Sequence, residues 1–155
     1  MQHPPLPAQF GQQLGVVSTL YRSLIESLLV PHDVTWAQFS LLLHLARRSG
    51  PSRISEIASS VNLTQPAVTK VVQKFSAQQM VIVRSDQNDG RNRLVEITEV
   101  GRTRLVAMQQ SFGPAFHELL LDWSSEEIER LIHDLTRLSA TLVTLNEAQR
   151  GQKKP

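Results

Sequence analysis

A chain of 155 residues fits one domain better than two, and with 41% hydrophobic and 19% charged residues it can build a core and is not disordered by composition. It has no cysteine, which excludes disulfides, thiolate metal sites, cysteine nucleophiles and cysteine redox sensing together. The net charge is +2 and the pI about 9.4, so the total charge says little and its distribution says more. From Ile57 to Ser85 there is no acid, while Lys70, Lys74 and Arg84 are present. From Pro114 to Glu147 the acids Glu118, Asp122, Glu126, Glu127, Glu129, Asp134 and Glu147 face only Arg130 and Arg137. Such asymmetry suits a protein that meets a polyanion at one end. No run of about eighteen apolar residues exists, and MQHPPLPAQF lacks the basic start and apolar stretch of a signal peptide. The expectation is a soluble cytoplasmic protein with no membrane partner.

Residues 1–7, with HPPLP inside them, are expected to be a non-helical arm. Phe10, Leu14, Val17, Tyr21, Leu24 and Leu28 alternate spacings of four and three, the stripe of a helix from about Ala8 to Leu29 that Pro31 ends. Thr35 and Gln38 form a capping box for the next helix, which carries Trp36, Phe39, Leu43 and Ala46 on one stripe and stops near Arg48. Two short helices follow, Ser52 to Ser60 and one starting at Thr64, with Pro66 in its first turn. On the second, Val68, Val71, Val72 and Phe75 point inward, leaving Thr64, Gln65, Thr69, Lys70, Gln73 and Lys74 outward.

After Gln79 the period changes. Met80–Arg84 and Arg93–Ile97 read as strands joined by a tip, Asp86 to Arg91, dense in turn formers. Thr98 starts a helix to about Leu121, with Gly113-Pro114 predicted to kink it. Ser124 and Glu127 cap a last helix bearing Ile128, Leu131, Leu135, Leu138, Leu142 and Leu145, a heptad seam. Two amphipathic terminal helices imply something to dock on. Leu14 and Val17, with Leu131, Leu135, Leu138 and Leu142, are therefore candidates for a homodimer interface.

The order helix, turn, helix, strand, basic hairpin, strand fits double-stranded DNA. A face of Thr, Gln and Lys at a helix N-terminus can donate to base edges and phosphates in a major groove. Arg91 and Arg93 on the hairpin could reach an adjacent minor groove. Enzymatic readings fare badly. There is no glycine-rich phosphate loop, no G-x-S-x-G and no usefully spaced acid pair, and His117-Glu118 lacks the second histidine of a zinc-protease helix because Leu121 stands there. No catalytic residue, metal or cofactor is expected.

Leu63-Thr64-Gln65-Pro66-Ala67-Val68-Thr69-Lys70, Val81 to Arg84, Asp89-x-Arg91 and Ile97-Thr98-x-x-Gly101 together resemble the multiple-antibiotic-resistance regulator (MarR) family. The resemblance implies a mainly α protein with a small β-hairpin wing: a winged helix-turn-helix over residues 35–98, a dimerisation helix and linker over 8–34, C-terminal dimerisation helices over 99–148 and a tail over 149–155. It implies a homodimeric transcription regulator, a repressor by expectation, whose helix from Thr64 enters the major groove. Thr64, Gln65, Pro66, Thr69, Lys70, Lys74, Arg84, Arg91 and Arg93 would contact DNA, with Asp89 orienting Arg91. The family's wing often runs Asp-Pro-x-Asp-Arg-Arg; here Gln87 replaces the proline and Gly90 the first arginine. Some members release DNA on binding small aromatic acids between dimer base and DNA-binding lobe, and Tyr21, Arg22, Trp36, His44 and Arg47 lie on the helices that would line such a cleft. A non-specific architectural DNA-binding protein and a winged-helix protein–protein module remain as alternatives.

Overall fold

The computed structural model describes residues 4–87, 89 and 92–152 and divides into two compact units after Gly113. In the first, helix α1 spans Leu6–Leu29 and passes into a 3-10 turn, Val30–His32; α2 covers Trp36–Arg47, strand β1 Ser52–Arg53, α3 Ile54–Ser60, α4 Gln65–Ala77, β2 Val81–Ser85, β3 Arg93–Ile97 and α5 Glu99–Ser111. The helices begin where side chains can satisfy their first amides. The Thr35 hydroxyl accepts from Gln38 N at 3.3 Å while Gln38 Oε1 accepts from Thr35 N, and the Thr64 and Thr98 hydroxyls accept from Ala67 N and Gly101 N. Two residues past the ends of α3 and α4 stand Asn62 and Gln79, both in the left-handed region, which turns the chain sharply without glycine.

The core of this unit is the shared inner face of these helices. Ile25 and Leu29 of α1, Leu41 and Leu42 of α2, Ile57 of α3, and Val68 and Phe75 of α4 are all fully buried. Each such side chain contributes about 1.5–3 kcal/mol relative to exposure. Met80, Val81, Val95 and Ile97 extend the core under the sheet.

The structure differs from the sequence reading at four places. Leu6 and Pro7 belong to α1: Pro7 stands in the first turn, where its missing N–H removes no bond, so the non-helical arm is shorter. Ser52–Arg53 are a strand and not the start of α3; they pair with Val95 and Leu94, so the wing is three-stranded, order β1-β3-β2, all antiparallel. The long helix is interrupted for one residue at Phe112, just before Gly113-Pro114, so α5 ends at Ser111 and α6 runs Gly113–Leu119 in place of a single helix to Leu121. Finally, residues Leu6–His32 form a helical stretch of 27 residues with a window of mean hydropathy 1.2, long and apolar enough by length and composition alone to cross a membrane. A test for unbroken apolar residues misses it because Gln, Ser, Thr and the Arg22–Glu26 pair are interspersed.

In the second unit α7 spans Ser125–Gln152. The Ser124 hydroxyl accepts from Glu127 N at 3.3 Å and the Glu127 carboxylate from Ser124 N at 2.8 Å, which holds the Glu127 carboxyl below its ordinary range. Within this chain the α7 seam is open: Leu131, Leu135 and Leu142 are 38%, 49% and 41% exposed, with Ile128 and Leu138 half-buried.

Candidate nucleic-acid interface

Helix α4 turns about 100° per residue, and its buried residues Val68, Val72 and Phe75 occupy one side. The opposite arc holds Pro66, Lys70 and Gln73, all exposed, with Thr69 half-buried at its edge, and Gln65 is exposed as the first residue of the helix. The Thr69 hydroxyl donates back to the Gln65 carbonyl at 2.9 Å. Its methyl is what remains for a partner. No acidic residue lies on this helix.

Lys74 departs from the outward set. It falls at the flank of the arc, half-buried, and its Nζ donates to the Asp33 carbonyl at 3.2 Å and to the Asp33 carboxylate at 3.4 Å. The partner is an exposed residue in left-handed backbone, φ 52°, just after the 3-10 turn. The lysine ties the last turn of α4 to the linker between α1 and α2.

The sheet stands beside α4, and side chains alternate across it. Val83, Ser85 and Arg93 share one face, and the Arg93 guanidinium donates to the Ser85 hydroxyl at 3.1 Å. A groove of about 470 Å³ runs between that face and α4; Thr69, Gln73, Val83 and Arg93 line it. Arg84 and its cross-strand partner Leu94 are on the other face, so Arg84 is exposed but does not join this set. At the tip, the Asp89 carboxylate accepts from Asn92 Nδ2 at 3.0 Å and the Asp89 carbonyl from Asn92 N at 2.9 Å. Arg91 lies outside the described residues.

One side chain that sequence reasoning passed over anchors the wing. Arg53, immediately before α3, donates from Nε and Nη2 to one Asp86 oxygen at 3.2 and 3.0 Å. Asp86 is only 6% exposed, and its amide donates to the Asn92 carbonyl. The base of the hairpin is thereby fixed to β1. Nothing local in the sequence signals a pair separated by thirty-three positions.

The five residues considered for an effector cleft occupy different settings. Tyr21 and Trp36 meet edge-to-face at 6.1 Å between centroids, and Trp36 continues through Phe39 to Phe112 as an aromatic series. Arg22 pairs with Glu26 one turn on, at 2.9 Å, and Arg47 is exposed. His44 has a buried Nε2 with no partner among the described residues. Burial lowers its pKa, the Arg48 charge adds to the effect and Glu56 opposes it. Among the described residues no group of three or more His, Asp or Glu could hold a metal ion.

Comparison with known proteins accords with this geometry. A family model described as MarR family matches residues 32–92. The uncharacterized HTH-type transcriptional regulator YxaD of Bacillus subtilis is 30% identical over 103 residues, which cover 66% of this chain and 72% of YxaD. Wild-type apo MarR of Escherichia coli superposes with a TM-score of 0.73 at 22% identity, covering 89% of this chain and 98% of that one. A cysteine-to-serine mutant of the same regulator, solved in complex with operator DNA, scores 0.65 at 22% identity over 84% and 93%. BpsR of Bordetella bronchiseptica, whose DNA binding is regulated by 6-hydroxynicotinic acid, scores 0.66 at 21% identity over 84% and 98%. At these identities the solved structures speak to fold, and the curated relative carries the assignment. A winged helix-turn-helix with an acid-free outer helix and this relative leads to one conclusion: the chain belongs to the MarR family of DNA-binding transcription regulators.

Proposed function

We propose that the protein acts as a homodimer on a pseudo-palindromic operator, represses transcription by occupying it, and is released by a small aromatic acid. The observation that carries this reading is the exposed surface of α4, where Gln65, Thr69, Gln73 and Lys70 stand free of acids beside a basic wing. A duplex major groove admits one helix, and a two-fold dimer would place two such helices about one helical turn, roughly 34–36 Å, apart on DNA. Gln65 would pair bidentately with adenine, and the Thr69 methyl would meet a thymine methyl. Lys70 and Arg84 would contact phosphates and Arg91 and Arg93 a narrow minor groove. The E. coli MarR complex with operator DNA and the regulation of BpsR by 6-hydroxynicotinic acid lend support by relationship.

Selection of bound duplexes from a random library, with wild-type protein and Gln65→Ala, tests the reading. Wild type should enrich an inverted repeat. Gln65→Ala should bind it about 1–3 kcal/mol more weakly and lose preference at one position per half-site. Equal weakening on selected and random duplexes would instead support an architectural DNA-binding role.

A further inference from the structure

Arg53 is where three elements of the first unit meet. Its backbone pairs with Leu94 in β3, and its amide donates to the Glu56 carboxylate at 3.1 Å in the first turn of α3. Its guanidinium holds Asp86, the residue that follows β2. The register places this contact on one side of the sheet. Arg53, Leu94 and Arg84 form a row across the strands, and Asp86, two residues beyond Arg84, meets Arg53 there. The other side of that end of the hairpin carries Arg93, which shares the final rung with Ser85 and lines the groove against α4. One face is held and the other is presented.

A two-stranded hairpin is marginal by itself in water, so a fixed angle to α4 needs a brace. The β1–β3 ladder supplies only Ser52↔Val95 and Arg53↔Leu94. The guanidinium adds Nε and Nη2, both donating to one Asp86 oxygen. Two donors on a planar group fix direction as well as distance. Asp86 is nearly buried, so water competes little for its carboxylate.

We propose that Arg53 and Asp86 are positioning residues for DNA recognition: they set the angle at which the wing meets the duplex while α4 lies in the major groove, and thereby the preference for sequence flanking each half-site. This deepens the operator reading and rests on it. Arg93, and Arg91 between Asp86 and Asn92 in the sequence, are the residues whose aim depends on that angle. A narrow A·T-rich minor groove favours a guanidinium only when it is directed inward, whereas phosphate contacts tolerate a small swing. Charge alone makes a different prediction at Asp86. Removing an acid beside DNA would tighten all duplexes alike.

The probe is a duplex bearing the inverted repeat that wild-type protein selects, flanked by A·T or by G·C pairs. Arg53→Gln and Asp86→Asn should each lower the ratio of the two affinities by about threefold, and the double variant should lower it no further, since both break one contact. Arg53→Lys should restore part of the ratio, with a point charge in place of two fixed donors. Each variant should keep the preference at the position Gln65 reads, which a merely unfolded lobe would lose. In the free protein the Asp86 amide, bonded to the Asn92 carbonyl at 3.0 Å, should exchange about tenfold faster in Arg53→Gln. A wild-type ratio near one, ratios untouched by both single variants, or additive losses in the double would overturn the proposal. So would a loss in Arg53→Gln alone, which would make Arg53 a phosphate contact only. Untouched ratios on a selected repeat sink this proposal and keep the operator reading. If no repeat is selected, both fall, and faster Asp86 exchange then marks the pair as a structural tie alone.

Discussion

At Gly101, in the first turn of α5, a Cβ would overlap the Met80 carbonyl oxygen and lie 2.8 Å from Ile97 Cγ1. Both neighbours are held, the Met80 carbonyl accepting from Thr98 N and Ile97 being 6% exposed in the sheet. Alanine in a helix gains about 1 kcal/mol over glycine, whereas forcing atoms into a packed site costs about 1–3 kcal/mol. Because the clash is with held backbone the packing cost wins: Gly101→Ala should destabilise by up to about 2 kcal/mol, read as a lower urea midpoint with unchanged slope. His44 makes a second case at the same scale. Its folded pKa lies below the ordinary 6.5, chiefly because burial disfavours the charged ring. Below pH 6.5 the unfolded chain therefore binds the proton more readily than the folded one. The stability that neutral His44 provides is complete above that pH and is lost as pH falls through the folded value. Melting temperatures from about pH 7.5 to 5 should decline more steeply for wild type than for His44→Gln; parallel curves would remove His44 from the explanation.

Helix α4 separates two lysines four residues apart by what each touches. Lys70 is exposed, whereas Lys74 is committed to Asp33. Lys70→Ala should make the salt dependence of duplex binding shallower by about one unit per contacted phosphate. Lys74→Ala should leave that slope near wild type and lower stability by about 1 kcal/mol or less, as befits a part-exposed pair. The reverse pattern in anisotropy titrations would show that Asp33 releases Lys74 on DNA. Helix α4 is legible in the sequence because its determinants are local: a Thr64 cap, a proline at its second position and an apolar period of about 3.6 residues. The same holds for the capping boxes at Thr35 and Ser124. Strand β1 is not legible, since two residues have no periodicity and Ser52–Arg53 are extended only because the edge of β3 is available. The outward assignment of Lys74 fails for a related reason: a partner forty-one positions away leaves no mark on the helix that carries it. A candidate DNA-facing set can be named from the sequence, but the sorting of Arg84 and Arg93 onto opposite sheet faces needs the register.

For the whole molecule, the open seam on α7 and the exposed Val17 on α1 are apolar surface that a second copy would cover. Replacing Leu135 and Leu138 together by aspartate would bury unpaired charge in such an interface, at several kcal/mol. Light scattering at micromolar concentration should then find wild-type dimers and variant monomers, and a monomeric wild type would end the proposal. The two-residue strand β1 also bears on how the first unit assembles. Its pairing with Leu94 and Val95 closes a ring of chain that contains α3, α4 and the β2–β3 turn. The β2–β3 hairpin is local and can form early, whereas closing the larger ring costs chain entropy that must be met before its two residue pairs repay anything. Docking of β1 thus belongs to the native side of the folding barrier. Ser52→Gly should accelerate unfolding and leave the refolding rate almost unaltered, a φ-value near zero. The wing would then open at a lower free energy than the helical core when the folded protein fluctuates, with the Arg53–Asp86 pair as the contact that has to part for β1 to leave.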